Sequence, residues 1–157
     1  MRRATTTQEP KPRFRTRIGG VVISLVGVGM IAYAAAFIVR NFTHLIELGL
    51  GAEHVGVTEE EIIAFSPGVR DYISHVQVNL GGFIAATGIA TVLLGWFGIA
   101  RGATWAWWGV LLVALTWMLI GGPIHYVYGF DTLGHLGPGF IAVGFLAIGL
   151  LLSRPGR

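Results

Sequence analysis

The sequence predicts an all-α integral membrane protein: a four-transmembrane-helix bundle with a short amphipathic helix in its non-cytoplasmic loop. Three observations carry that expectation. Four apolar runs each reach the roughly 20 residues that a helix needs to cross a bilayer. Charged residues are only 12% of the 157-residue chain while hydrophobic ones reach 54%, about half the charge of a soluble domain. Lysine and arginine also sit almost entirely on one side of the runs, nine of eleven, with only Arg40 and Arg70 on the other.

The first element is basic. Residues 1–17 hold Arg2, Arg3, Lys11, Arg13, Arg15 and Arg17 against Glu9 alone, with Pro10 and Pro12 between them. Such a segment beside an apolar run fixes topology or touches anionic lipid, and nucleic acid is not an expected partner. Ile18 to Val39 are 22 residues without a charge. Ala32, Tyr33 and Ala34 have the small-x-small form of a signal cleavage site, but the run is long for a signal and suits a spanning helix. Continued helix to Gly49 would place Arg40, His44 and Glu47 on one face at i, i+4 and i+7.

Residues 52–66 form the one sizeable polar connection. Thr58 and Glu61 have capping-box spacing, so a short helix through about Phe65 is expected, lying on the membrane surface or the bundle. Ser66 and Pro67 read as N-cap and first residue of the second long helix. On it Asp71, His75 and Asn79 recur every fourth residue, with Gly82 and Ala86 below. Polar residues above small ones suggest an inward face. Arg101 to Thr104 make a tight hairpin of helices with Thr104 as cap, and Trp105, Trp107 and Trp108 stand where an aromatic belt belongs. The third run ends at Gly121, Gly122 and Pro123, putting His125 at the far surface. A fourth helix starting at Pro138 would be too short to span, so a start at Asp131 or Thr132 with Pro138 as a kink is expected.

The expected organisation is a basic tail over 1–17, a transmembrane domain over 18–153 and a C-terminal end over 154–157. The spans fall at about 18–40, 76–100, 104–125 and 132–153, with the outer loop at 41–75. The positive charges place both termini in the cytoplasm, in the multi-pass topology of a plasma (inner) membrane protein.

Each helix then delivers one histidine to the outer end: His44, His75, His125 and His135, with His54 in the loop. Glu47, Asp71, Asn79 and Asp131 accompany them. Imidazole and carboxylate bind zinc, iron or copper, and helical bundles hold such ions with inward His and Glu. The expected site is therefore His44, Glu47, His75, His125 and His135 around one point, with Asp71 and Asn79 behind them. Haem fits less well, because all candidate ligands lie at one end. The bland account is that histidine avoids hydrocarbon and gathers at the larger polar face; no His-x-x-x-His or Glu-x-x-His motif is present.

The chain has no cysteine, which removes thiolate and disulfide chemistry. Its glycines lie inside apolar runs, so phosphate-binding loops are excluded. Ser74, His75 and Asp71 cannot form a relay, because Ser74 and His75 are neighbours on different helix faces. Two readings of different class remain. One is a metal or acid–base site acting on a lipid-like or quinone-like molecule. The other is a non-enzymatic accessory or assembly subunit of a larger membrane complex, contacting a membrane-protein partner or a second copy of itself.

Overall fold

The computed structural model describes residues 13–156; most of the expected basic tail lies outside the described residues. The architecture is an all-α bundle with no strand among the described residues. The helices are α1 (Phe14–Asn41), α2 (Ala52–Val55), α3 (Glu59–Phe65), α4 (Pro67–Leu93), α5 (Thr104–Thr116), α6 (Gly122–Tyr128) and α7 (Leu133–Leu152). A π-type turn (Leu94–Gly98) and a 3₁₀ turn (Ile99–Arg101) extend α4, and a second π-type turn (Trp117–Gly121) joins α5 to α6. Four continuous helical stretches are long and apolar enough to span a membrane: Phe14–Asn41, Pro67–Arg101, Thr104–Tyr128 and Leu133–Leu152.

Neighbouring spans run antiparallel and meet through small residues, as membrane helices must when lipid offers no hydrophobic drive between them. A Cβ at Gly27 would sit 2.6 Å from the Gly88 carbonyl oxygen, and one at Gly19 would sit 2.6 Å from that of Gly149. These two backbone approaches clamp α1 between α4 and α7. α5 closes the bundle: Gly98 leaves room for Ala106, and the Trp107 indole N–H donates to the Leu150 carbonyl at 2.9 Å. The core sits at the end nearest the chain termini, where Ile23, Ile99, Ala106, Val110, Ala114, Leu146 and Leu150 form one buried cluster. The opposite end, which carries the connection from α1 to α4, is more open.

Three expectations need correction. The first helix does not continue to Gly49. The N–H groups of Thr43 and His44 and the Thr43 hydroxyl all turn back onto the Arg40 carbonyl, at 2.9, 2.8 and 3.0 Å. That closes α1 at Asn41, so His44 and Glu47 lie on an irregular segment and share no helical face with Arg40. Second, α4 is rotated relative to the expected inward face. Gln77, Gly81, Gly88 and Thr91 are its buried residues, while Asp71, His75, Asn79, Gly82 and Ala86 are exposed. A Cβ at Gly82 would meet nothing within 4 Å, whereas one at Gly81 would strike the Ile38 side chain. Small residues occur on both faces, and the backbone seam selected the face about 100° away. Third, Ala103 rather than Thr104 is the N-cap of α5, and it makes no side-chain cap bond.

Other boundaries fall where local chemistry placed them. The Thr58 hydroxyl accepts from the Glu61 N–H at 3.2 Å while the Glu61 carboxylate accepts from the Thr58 N–H at 2.8 Å, the reciprocal box that starts α3. Pro67 is the first residue of α4. α7 begins after Thr132 with Pro138 inside it. Pro123 lacks an amide hydrogen, and the helix absorbs the missing bond by widening over Trp117–Gly121, one turn before His125.

Candidate functional site

The segment between α1 and α2 builds the polar end by crossing the start of α7. Gly49 makes the crossing feasible: its φ is +84°, and a Cβ there would collide with the Gly134 carbonyl carbon and the His135 nitrogen. Only glycine satisfies both the left-handed backbone and that approach. Thr132 ties the crossing down. Its hydroxyl donates to the Gly49 carbonyl at 2.7 Å and accepts from the His135 N–H at 3.1 Å, capping α7 and fixing where His135 begins its turn.

His135 projects back beneath the crossing segment. Its Nδ1 donates to the Leu48 carbonyl at 2.9 Å, and its Nε2 faces the Glu47 carboxylate at 3.6 Å. The side chain is only 8% exposed, and that of Glu47 is 29% exposed. His125 comes from α6, immediately beyond the widened turn, and its Nδ1 donates to the Gly121 carbonyl at 2.6 Å. The two imidazoles meet at a tilt of 54° with ring centroids 4.9 Å apart.

These three side chains open onto a cavity of about 330 Å³. Its walls are Leu45, Ile46, Leu50, Val55, Ile62, Ile73, Leu80, Ile124, Tyr128 and Phe130, with Gln77 beside them. The crossing segment, α2, α3, α4, α6 and α7 all contribute. The volume lies at the lower end of the range for small-molecule sites, and an apolar lining with a few convergent polar groups is their usual composition.

A buried amide network holds one wall. The Asn41 amide donates to the Gln77 side-chain oxygen, Ser74 donates to the Asn41 oxygen at 2.6 Å, and Gln77 donates to the Leu45 carbonyl at 2.7 Å. Asn41 and Gln77 are 4% and 7% exposed, and all the bonds link α4 to the end of α1 or the crossing segment. Buried amides satisfied in this way fix one geometry, because leaving either unpaired is costly. Ile46 is fastened separately, its N–H donating to Glu59 of α3 at 3.0 Å.

The expected convergence of four histidines does not occur. His44 is exposed and its Nδ1 lies 2.9 Å from its neighbour's hydroxyl, Thr43 Oγ1. His75 is exposed on the outward face of α4. Asp71 pairs with Arg70 at 3.1 Å rather than orienting His75, and Asn79 donates to the His75 carbonyl at 2.9 Å. The early end of α1 and the rotation of α4 account for both displacements. His54 stands on α2 and accepts from the Gly51 N–H at 3.2 Å. Among the described residues no group of three or more His, Cys, Asp or Glu side chains could hold a metal ion.

Sequence reasoning passed over Gln77 and Asn41, and it gave Ser74, Gly49 and Thr132 no part in the site. Gln77 carried the one available signal: it is the polar residue in the row that continues through Gly81 and Gly88. The chain matches no protein-family model, no curated protein and no solved structure.

Proposed function

We propose that this protein carries a membrane-embedded acid–base site that opens at the non-cytoplasmic end of the bundle and takes a lipid-like or quinone-like small molecule. The observation that carries the reading is the cavity of about 330 Å³ whose apolar walls end at Glu47, His125 and His135. Apolar walls suit a ligand drawn from the bilayer, and ionisable groups at membrane depth are costly to keep without a use. In this reading His135 Nε2 accepts a proton from a hydroxyl of the bound molecule. Glu47, 3.6 Å away, stabilises the imidazolium that forms. The Leu48 carbonyl holds the ring in the required orientation, and His125 supplies the second polar contact. The distribution of Lys and Arg supports cytoplasmic termini and a plasma (inner) membrane location.

Zinc, iron or copper is the alternative occupant from the donor types alone. The residues do not fit it as they stand, since no third ligand joins at metal-binding distance among the described residues. The reading therefore runs on protons.

A second reading, an accessory or assembly subunit or a homo-oligomer, draws on a different face. Asn79, Gly82, Ala86 and Ala90 are exposed along one side of α4, the composition by which membrane helices associate closely.

Photolabelling tests the first reading. A diazirine-bearing alkylphenol in detergent-solubilised protein is expected to form adducts at Ile62, Ile73 and Ile124, suppressed by excess unlabelled alkylphenol. Adducts confined to the exposed Phe83 and Leu119, and indifferent to competitor, would contradict it.

A further inference from the structure

The hydrogen bonds around the cavity fix which kind of head group it can satisfy. Each histidine uses Nδ1 on a backbone carbonyl: His125 on Gly121 at 2.6 Å, His135 on Leu48 at 2.9 Å. A carbonyl oxygen only accepts, so both Nδ1 atoms carry hydrogen, and in the neutral ring each Nε2 is a bare acceptor. An ionised Glu47 carboxylate is also acceptor-only. Gln77 spends one amide N–H on Leu45 at 2.7 Å and its oxygen on Asn41, which leaves its second amide N–H, on the α4 wall away from the histidines. The wall's backbone N–H groups at Ile46, Leu50 and Phe130 are likewise engaged, by Glu59, Glu47 and His125. The Tyr128 hydroxyl and that second Gln77 N–H are the side-chain donors among the cavity's residues that are not engaged elsewhere.

The corner formed by Glu47, His125 and His135 thus presents acceptors alone, with His135 Nε2 and Glu47 3.6 Å apart. Two acceptors at that separation are reconciled by hydrogen placed between or beside them. A ligand carbonyl would add another acceptor, and a phosphate or carboxylate would add charge repulsion against Glu47. An ammonium head would satisfy the acceptors, but burying its charge among Leu45, Ile62, Ile73 and Leu80 costs far more than burying a hydroxyl.

Resting on the binding site proposed above, we propose that the cavity selects a neutral, apolar ring bearing hydroxyl donors, a hydroquinone or phenol. It discriminates against the carbonyl form of the same ring and against anionic amphiphiles. The site distinguishes the two redox forms of one skeleton by hydrogen-bond polarity alone, without needing to exchange electrons with either.

Duroquinol and duroquinone are the probes, since they share a methylated ring and differ in two hydroxyl hydrogens. Binding is measured by calorimetry under anaerobic conditions, in detergent, at about pH 8, above the range where histidine ordinarily changes charge. Duroquinol is expected to bind at least about tenfold more tightly than duroquinone, because a site built to receive a hydroxyl leaves polar groups unpaired when the analogue lacks it. His135→Phe, which keeps a ring and removes the acceptor, is expected to bring the two forms within about twofold. His75→Phe is expected to leave the preference as it is. Saturable binding of both forms without preference, or tighter binding of duroquinone or decylammonium, overturns the inference while leaving a binding cavity in place. Saturable binding of none of the probes overturns the inference and the reading beneath it.

Discussion

Replacing Gly27 with Ala should separate α1 from α4, and the structure indicates by how much. The new Cβ would stand 2.6 Å from the Gly88 carbonyl oxygen and 2.8 Å from the Val92 nitrogen. A comfortable separation is roughly 3.5 Å. Both neighbours are backbone atoms, so no side-chain rotation relieves the overlap and the helices must part by somewhat under 1 Å. A gap of that size forfeits a quarter to a half of each contact's ~0.15 kcal/mol. Over on the order of 40 atom pairs along the seam, the loss is about 1.5–3 kcal/mol. Alanine returns about 1 kcal/mol as a better helix former than glycine. The net cost is therefore ~0.5–2 kcal/mol. Gly82→Ala receives the helix gain alone, since a Cβ there meets nothing within 4 Å. Thermal unfolding in detergent, followed by circular dichroism, should place Gly27→Ala below the parent protein and Gly82→Ala at or above it. The reverse order would show that the α1–α4 seam has been assigned to the wrong face.

Other consequences follow from the polar end. Gln77→Ala leaves the Leu45 carbonyl and the Asn41 amide unpaired, at a cost of about 1–3 kcal/mol, while Asn79→Ala should lie within ~0.5 kcal/mol of the parent; chemical denaturation compares them. Gly49→Ala combines a disfavoured backbone conformation with a collision against α7, so it should free the crossing segment, read as faster amide hydrogen exchange at Leu50 and His135. Reporter fusions after Gly102 and Arg157 should read cytoplasmic and those near Val57 and Gly129 external; a cytoplasmic reading at Val57 would reverse the proposed orientation.

The fold was legible because it rests on properties that one sequence carries locally. Length of apolar run gives the spans, Thr58 with Glu61 gives the start of α3, and Pro67 and Thr132 give the starts of α4 and α7. The site was legible only in part, because it depends on helix rotation and on where a helix stops. Asp71, His75 and Asn79 repeat every fourth residue as an inward face would. Yet their row is exposed, and the Gln77–Gly81–Gly88 row is the one that meets α1. Periodicity identifies a face without saying which neighbour it meets. Likewise Thr43 and His44 close α1 on the Arg40 carbonyl, but the Asn41 amide at that end is held by α4 across 33 and 36 residues of sequence, which no local pattern announces. Glu47 reached the cavity with His125 and His135 because that early end let the chain turn back over α7. His44 was left outside by the same event.

The division of the histidines is the point on which the account stands, and chemical modification tests it without any ligand. Brief treatment with diethyl pyrocarbonate, with adducts mapped by mass spectrometry, reports how readily each imidazole is reached. His44 and His75, exposed in the structure, should be modified first. His135, 8% exposed and directed at Glu47, should be modified last, and Gly49→Ala should raise its rate toward theirs. Similar protection of His44, His75 and His135 in the parent protein would mean that they share one enclosed site, contradicting the arrangement described.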